Sequence, residues 1–136
     1  MTYQIAIATN SRGSSFLRSS FDWISLAFQL VESAPENDDF ENAVVLPSTS
    51  SSRTFQRNDL ATSQASEPGH GEFPAERTVW FQWTPDENAD VSISVSNSDC
   101  SLAIFTDSAL NDLTEHATGG SQHLISAVAG TTYFFS

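Results

Sequence analysis

The sequence contains no lysine, and its five basic residues, all arginines, face 17 aspartates and glutamates for a formal net charge of −12. A surface of this charge repels phosphate backbones and anionic lipid headgroups. The composition therefore disfavours nucleic-acid binding and adsorption to an anionic membrane. Two interpretations of the acidity stay open: multivalent cations as partners, or acidic side chains that only keep the chain soluble.

Cysteine and long apolar runs are also scarce. Cys100 is the only cysteine, so no disulfide can form within the chain. No stretch approaches the roughly 20 apolar residues of a membrane span, so we expect no membrane insertion. Residues 1–8 contain no basic side chain and polar residues interrupt their apolar run, so they do not resemble a signal peptide.

Hydrophobic periodicity is close to two residues wherever it is clear. In residues 91–96 every second side chain is apolar and the others are serines, as in a strand with one buried face. The same alternation predicts strands at residues 3–8, 24–30, 78–84, 102–105, 123–128 and 132–135. Short strands with polar, glycine- or proline-bearing connections are typical of a sandwich or barrel. The sequence therefore predicts an all-β fold with two antiparallel layers.

Helix signals are few. The best covers residues 107–116, where Asp107 or Ser108 could cap a turn that contains Leu110 and Leu113. The same residues are compatible with a structured loop, and both interpretations stay open.

The two ends of the sequence resemble each other, since Thr2-Tyr3-Gln4-Ile5 is similar to Thr132-Tyr133-Phe134-Phe135. We therefore predict two parts. Residues 1–31 are the C-terminal strands of a preceding repeat, and residues 32–136 are a β-sandwich that lacks its last strand. The strand at 24–30 is expected to supply the missing strand, while 3–8 competes with 132–135 for one position. The strand left over gives an open edge for self-association.

Several short motifs follow one another after residue 36. They are Asn37-Asp38-Asp39-Phe40-Glu41-Asn42-Ala43, Ala61-Thr62, Ser66-Glu67-Pro68-Gly69-His70, Val79-Trp80-Phe81-Gln82-Trp83-Thr84-Pro85, Asp99-Cys100-Ser101-Leu102-Ala103-Ile104-Phe105 and Ala129-Gly130-Thr131-Thr132-Tyr133. In this order they resemble the bacterial pre-peptidase C-terminal domain family. The chain departs from the family pattern at Ser66, where the family has glycine, and at Ser98, where it has an aromatic residue.

The resemblance implies a jelly-roll-like antiparallel β-sandwich, appended to secreted proteins or arranged in tandem in large surface proteins. Domains of this family are accessory: they bind, space or assist secretion, and some bind calcium near their N-terminal linker. We accordingly expect a non-catalytic binding or spacer module of a secreted or cell-surface bacterial protein. Its expected partners are an extracellular protein or polysaccharide and the neighbouring repeats of the parent chain.

The acidic segment at the start of this region is the candidate calcium site. We assign Glu36, Asn37, Asp38 and Asp39 to it, and add Asp99 because it aligns with a family aspartate. Calcium takes six to eight oxygen ligands from carboxylates, amides and carbonyls. The alternative is that Asn37 and Asp38 form turn or capping hydrogen bonds while the other carboxylates are solvated.

Trp80 and Trp83 are candidate ligand-binding residues. Side chains alternate along a strand, so the two rings should lie on opposite faces, one in the core and one nearer the surface. An exposed ring could stack on a sugar, which gives a carbohydrate-binding, lectin-like sandwich as the alternative function. Core packing is the commoner role of an aromatic residue in such a strand.

Few features suggest an enzyme. The sequence has no G-x-S-x-G elbow, and its histidines lack the spacing of a zinc site. We expect Glu67 and His70 to hold a Pro-Gly turn by hydrogen bonds. A hydrolase would require a pocket that brings His70 or His123 within reach of a serine and a carboxylate, and we expect none.

Overall fold

The computed structural model describes residues 33–49, 51–97 and 99–136. The chain divides into two units, Met1–Leu30 and Val31–Ser136, and the described residues belong to the second. The strands predicted at 3–8 and 24–30, their origin in a preceding repeat and the closure of the sandwich by 24–30 all lie outside the described residues.

Strands dominate the described part of the chain. They are β1 (Val44–Val45), β2 (Phe81–Trp83), β3 (Ala89–Ser94), β4 (Ala103–Thr106), β5 (Thr114–Thr118), β6 (Gln122–Ala127) and β7 (Tyr133–Phe135). Two single turns of 3-10 helix cover Phe40–Asn42 and Leu110–Asp112. The prediction of an all-β fold is confirmed.

The strands form two sheets. One has five strands in the order β1-β2-β7-β4-β5, and the other consists of β3 and β6. Neighbouring strands are antiparallel except β1 and β2, which run parallel with Val44 opposite Phe81. A parallel pair requires a long crossover connection, which the irregular segment between β1 and β2 provides. The pairing of β1 therefore departs from the wholly antiparallel arrangement that the sequence predicted.

The five-stranded sheet carries a hydrophobic cluster on each face, because successive side chains of a strand point to opposite sides. One cluster contains Phe40, Ala43, Trp80, Ala103, Phe105 and Phe134, with Leu110 and Leu113 packed against it. The other contains Leu102, Ile104, Ile125, Ala127, Tyr133 and Phe135, with side chains of β3 packed against it. The second sheet thus covers one face, and the two 3-10 turns cover the other. This burial explains why β4 and β7 are apolar at consecutive positions.

Of the two interpretations left open for segment 107–116, the structure shows the structured loop rather than a longer helix. The segment contains only the turn Leu110–Asp112, followed by β5. The N-cap of this turn is Ala109, and neither Asp107 nor Ser108 caps it. The sequence did not predict β5 because it lies at the edge of the sheet, where its first three residues are exposed and no apolar alternation is required.

Ser66 adopts a left-handed backbone conformation, with φ of 71°. This conformation costs a residue with a Cβ roughly 1–2 kcal/mol, whereas glycine adopts it freely. Ser66 stands where the resembled family has glycine. Ser66 therefore carries strain that glycine at the same position would avoid.

We predict that Ser66→Gly raises the free energy of unfolding by up to about 1 kcal/mol, because relief of the strain outweighs the added freedom of the unfolded chain. Chemical denaturation measures the change. The control is Ser63→Gly, at an exposed position without positive φ; it should lower stability by about 0.5 kcal/mol. Equal destabilisation by both substitutions would contradict the assignment of strain to Ser66.

Candidate functional site

Asn37 connects the start of the domain to the sheet. It is fully buried, and its backbone oxygen accepts the N–H of Trp80 at 2.8 Å. Its Nδ2 donates to the backbone oxygen of Trp80 at 2.9 Å. Its Oδ1 has no hydrogen-bond partner within the described residues. Asn37 therefore pairs with the backbone of Trp80 much as a neighbouring strand would. A buried acceptor such as Asn37 Oδ1 without a hydrogen-bond partner lowers the stability of the fold unless a further ligand binds it.

Asp38 connects the same segment to the irregular crossover between β1 and β2. Its carboxylate accepts the backbone N–H of Thr62 and, at 2.7 Å, the hydroxyl of that residue. Thr62 in turn accepts the N–H of Thr78 at 3.1 Å, just before β2. Asp38 thus fixes a stretch of chain that has no regular secondary structure.

Gln64 and Glu67 continue these contacts. Gln64 Oε1 accepts the N–H of Phe40 at 2.6 Å. Glu67 accepts the N–H of Gln64 and the indole Nε1–H of Trp80, each at 2.9 Å. Burial raises the pKa of Glu67, the hydrogen bonds to its carboxylate act in the opposite direction, and the nearby carboxylate of Asp38 adds to the rise. The partly buried carboxyl group of Glu67 therefore lies against the Trp80 indole.

His70 ends the Glu67-Pro68-Gly69-His70 turn. The Nε2 atom of its ring lies 2.7 Å from Oγ of Ser136. Its backbone N–H donates to the backbone oxygen of Phe73 at 2.9 Å. A Cβ at Gly69 would lie 2.7 Å from that same carbonyl oxygen, so the close approach requires glycine. Burial lowers the pKa of His70 below its ordinary value.

The histidines provide only part of the arrangement that a hydrolase would require. His70 reaches a serine hydroxyl, but no carboxylate within the described ranges is hydrogen-bonded to its ring. His123 instead places Nε2 3.2 Å from the backbone oxygen of Leu102.

The Trp80 ring is the centre of these contacts and is completely buried. Its ring centroid lies 5.1 Å from that of Phe40, edge to face, and 6.0 Å from that of Phe105. The tryptophan and the polar residues described above form what we call the Trp80 network: Asn37, Asp38, Thr62, Gln64, Glu67, His70 and Trp80.

The second tryptophan lies on the opposite face of the sheet, as the strand period requires. Trp83 is half-buried in the cluster beneath β3 and β6, and its ring centroid is 6.1 Å from that of Tyr133. Because Trp80 is fully buried, only Trp83 of the two has ring surface within reach of a ligand.

The remaining predicted metal ligands lie around or outside the Trp80 network. Glu36 and Asp39 are exposed, and Asp39 precedes the first 3-10 turn without capping it. Asp99 lies in the turn before β4, where its N–H donates to Asn97 Oδ1 at 3.0 Å. The described contacts bring Asn37 and Asp38 to Glu67, a residue that the sequence analysis assigned only to a turn. The position of Glu67 in the series of motifs singled it out in the sequence. The spacing of the motifs does not show, however, that the chain folds back and brings Glu67 to Trp80.

Within residues 33–49, 51–97 and 99–136, no group of three or more His, Cys, Asp or Glu side chains is arranged to hold a metal ion. The same residues contain no helix that is long and apolar enough to cross a membrane. In comparisons with known proteins, no family model, curated protein or solved structure matches the chain.

We predict that His70 makes stability pH-dependent below neutrality. An unfolded histidine takes up a proton near pH 6.5, whereas burial lowers the pKa of His70 in the folded state. Its contribution to stability is therefore complete above the unfolded pKa and is lost as the pH falls below it. Urea denaturation between about pH 7 and pH 5 should show a flatter profile for His70→Gln than for the unsubstituted chain.

The control for this prediction is His116→Gln, which removes an exposed histidine of β5. It should retain the slope of the unsubstituted chain. Identical slopes for His70→Gln and the unsubstituted chain would show that His70 does not contribute.

Proposed function

We propose that the chain is a non-catalytic accessory module of a secreted or cell-surface bacterial protein, with a jelly-roll-like β-sandwich fold. In this role it binds an extracellular protein or polysaccharide, or spaces neighbouring repeats. The observation that carries the proposal is the Trp80 network. The residues by which the sequence resembles pre-peptidase C-terminal domains contact one another across long stretches of chain, as expected if they maintain a shared fold.

The contacts of the titratable residues support a structural rather than catalytic role. Glu67 binds the Trp80 indole and a backbone N–H, and His70 binds Ser136 at the end of β7. A general acid or base must be free to exchange a proton with a substrate. We therefore expect no hydrolysis of p-nitrophenyl acetate beyond the background rate. Hydrolysis that disappears in Ser136→Ala and in His70→Gln would overturn the non-catalytic assignment.

We further propose that calcium binds beside the Trp80 network. The ligand types fit: Asn37 Oδ1 is a buried unpaired acceptor, and the carboxylates of Asp38 and Glu67 lie near each other. Asn37, Asp38 and Glu67 would hold the ion, and Glu36 stays a predicted ligand. Calcium would give Asn37 Oδ1 a partner and offset the repulsion between the two carboxylates. Asp39 and Asp99 stay predicted ligands.

We predict that calcium stabilises the folded chain. A ligand present at 100 times its dissociation constant adds about 2.7 kcal/mol to the free energy of unfolding. Thermal unfolding with excess calcium chloride and with a chelator measures this increment. Asp38→Asn should abolish it, although the amide oxygen of asparagine can still accept a hydrogen bond from Thr62.

Asp112→Asn is the matched control, because it makes the same change of charge at an exposed position that is not a proposed ligand. It should keep the calcium-dependent increment. Loss of the increment in both variants would indicate nonspecific screening of an acidic chain, and no increment in the unsubstituted chain would remove calcium from the proposal.

A further inference from the structure

A polar cleft lies at the end of the five-stranded sheet opposite the Trp80 network. The network surrounds the start of β2 and the end of β7, whereas the cleft lies where β2 and β4 end and β7 begins. It has a volume of about 590 Å³. Connecting loops at one end of a β-sandwich are a common place for a binding site, because the strands hold them in fixed positions.

The lining of this cleft is rich in groups that both donate and accept hydrogen bonds. It includes Gln82, Asp107 and the hydroxyl residues Thr106, Ser108, Thr131 and Thr132, together with Phe134. A carboxylate accepts, a carboxamide does both, and each hydroxyl does both. None of the described residues that line the cleft is basic. A neutral molecule with several hydroxyl groups matches this set, whereas an anion would face Asp107 without a compensating cation.

Two competing ligand classes fit less well. Calcium requires six to eight oxygen ligands, and the cleft has one carboxylate. An apolar ligand would leave the polar lining groups without partners. The volume lies within the range of sites for small molecules.

Asp107 is the lining residue with a strained backbone and a free carboxylate. Its φ is 80°, in the left-handed region that glycine adopts without strain. Its carboxylate accepts no hydrogen bond in the part of the chain that the structure describes. Strained residues of this kind cluster at ligand sites when the surrounding structure holds them in place.

We propose that this cleft binds a neutral saccharide, with Asp107 accepting hydrogen bonds from sugar hydroxyls and Gln82 and the threonine hydroxyls completing the contacts. The proposal rests on the proposed accessory-module function, since it names a saccharide as the ligand class. The proposed saccharide site thus does not include Trp80 or Trp83.

Titration of the ¹⁵N-labelled full chain with the methyl glycosides of glucose, galactose and mannose tests the proposal by NMR. At least one of these probes should shift the amide resonances of Asp107, Ser108 and Thr131, while the resonances of the Trp80 network stay unchanged. Asp107→Gly should weaken that binding at least about tenfold, because a charged acceptor is lost. The same substitution should raise thermal stability, since glycine relieves the strain.

Ser66→Gly is the matched control, because it also places glycine at a strained position but lies outside the cleft. It should leave the glycoside affinity unchanged. The absence of shifts with all three probes, or equal affinity in Asp107→Gly, would overturn the cleft proposal. The p-nitrophenyl acetate assay, run on the same sample, tests the non-catalytic module separately, so that failure of the cleft proposal alone can be distinguished from failure of both.

Discussion

The hydrogen bonds around Trp80 are the constraint on which the rest of the described structure depends. Asn37 binds both the N–H and the C=O of Trp80, Glu67 binds its indole N–H, and the ring fills the core. Burial of a tryptophan without a partner for its N–H would be costly. The hydrogen bonds to these groups of Trp80 place the segment around Asn37 beside β2. Phe40 then covers one face of the sheet, and β1 pairs with β2 in parallel. The irregular crossover is then held by side-chain acceptors instead of a strand ladder.

The two ends of the five-stranded sheet therefore differ in their chemistry. At one end the polar side chains contact one another and the backbone, and the buried Asn37 Oδ1 has no hydrogen-bond partner among the described residues. At the other end the cleft is lined by Asp107, whose backbone is strained, and by several hydroxyl groups. This difference would suit the proposed binding module, because a fixed scaffold reduces the cost of ordering loops on binding.

The sequence predicted those strands whose burial leaves an alternating pattern, and residues 91–96 and 123–128 lie close to the observed β3 and β6. It did not predict β1 or β5, because both are sheet edges with exposed side chains that need no pattern. The motif order brought Asn37, Asp38, Glu67, His70 and Trp80 to attention. It could not predict their contacts, since Asp38 and Thr62 meet through a fold-back that no local propensity encodes. Asp107 was missed as a site residue because its backbone strain is a property of the folded chain.

Native-state hydrogen exchange at the amides of Phe40, Thr62 and Gln64 tests whether the Trp80 network holds the domain together. None of these amides belongs to a strand, and each donates to a side chain: Gln64, Asp38 and Glu67, respectively. We predict that these three amides are protected from exchange nearly as strongly as the amides of β4 and β7, which exchange only when the core unfolds globally. The amide of the exposed Ser52 should exchange rapidly and serves as the reference. Exchange of Phe40, Thr62 and Gln64 at the rate of Ser52 would contradict the claim that the Trp80 network holds the domain together.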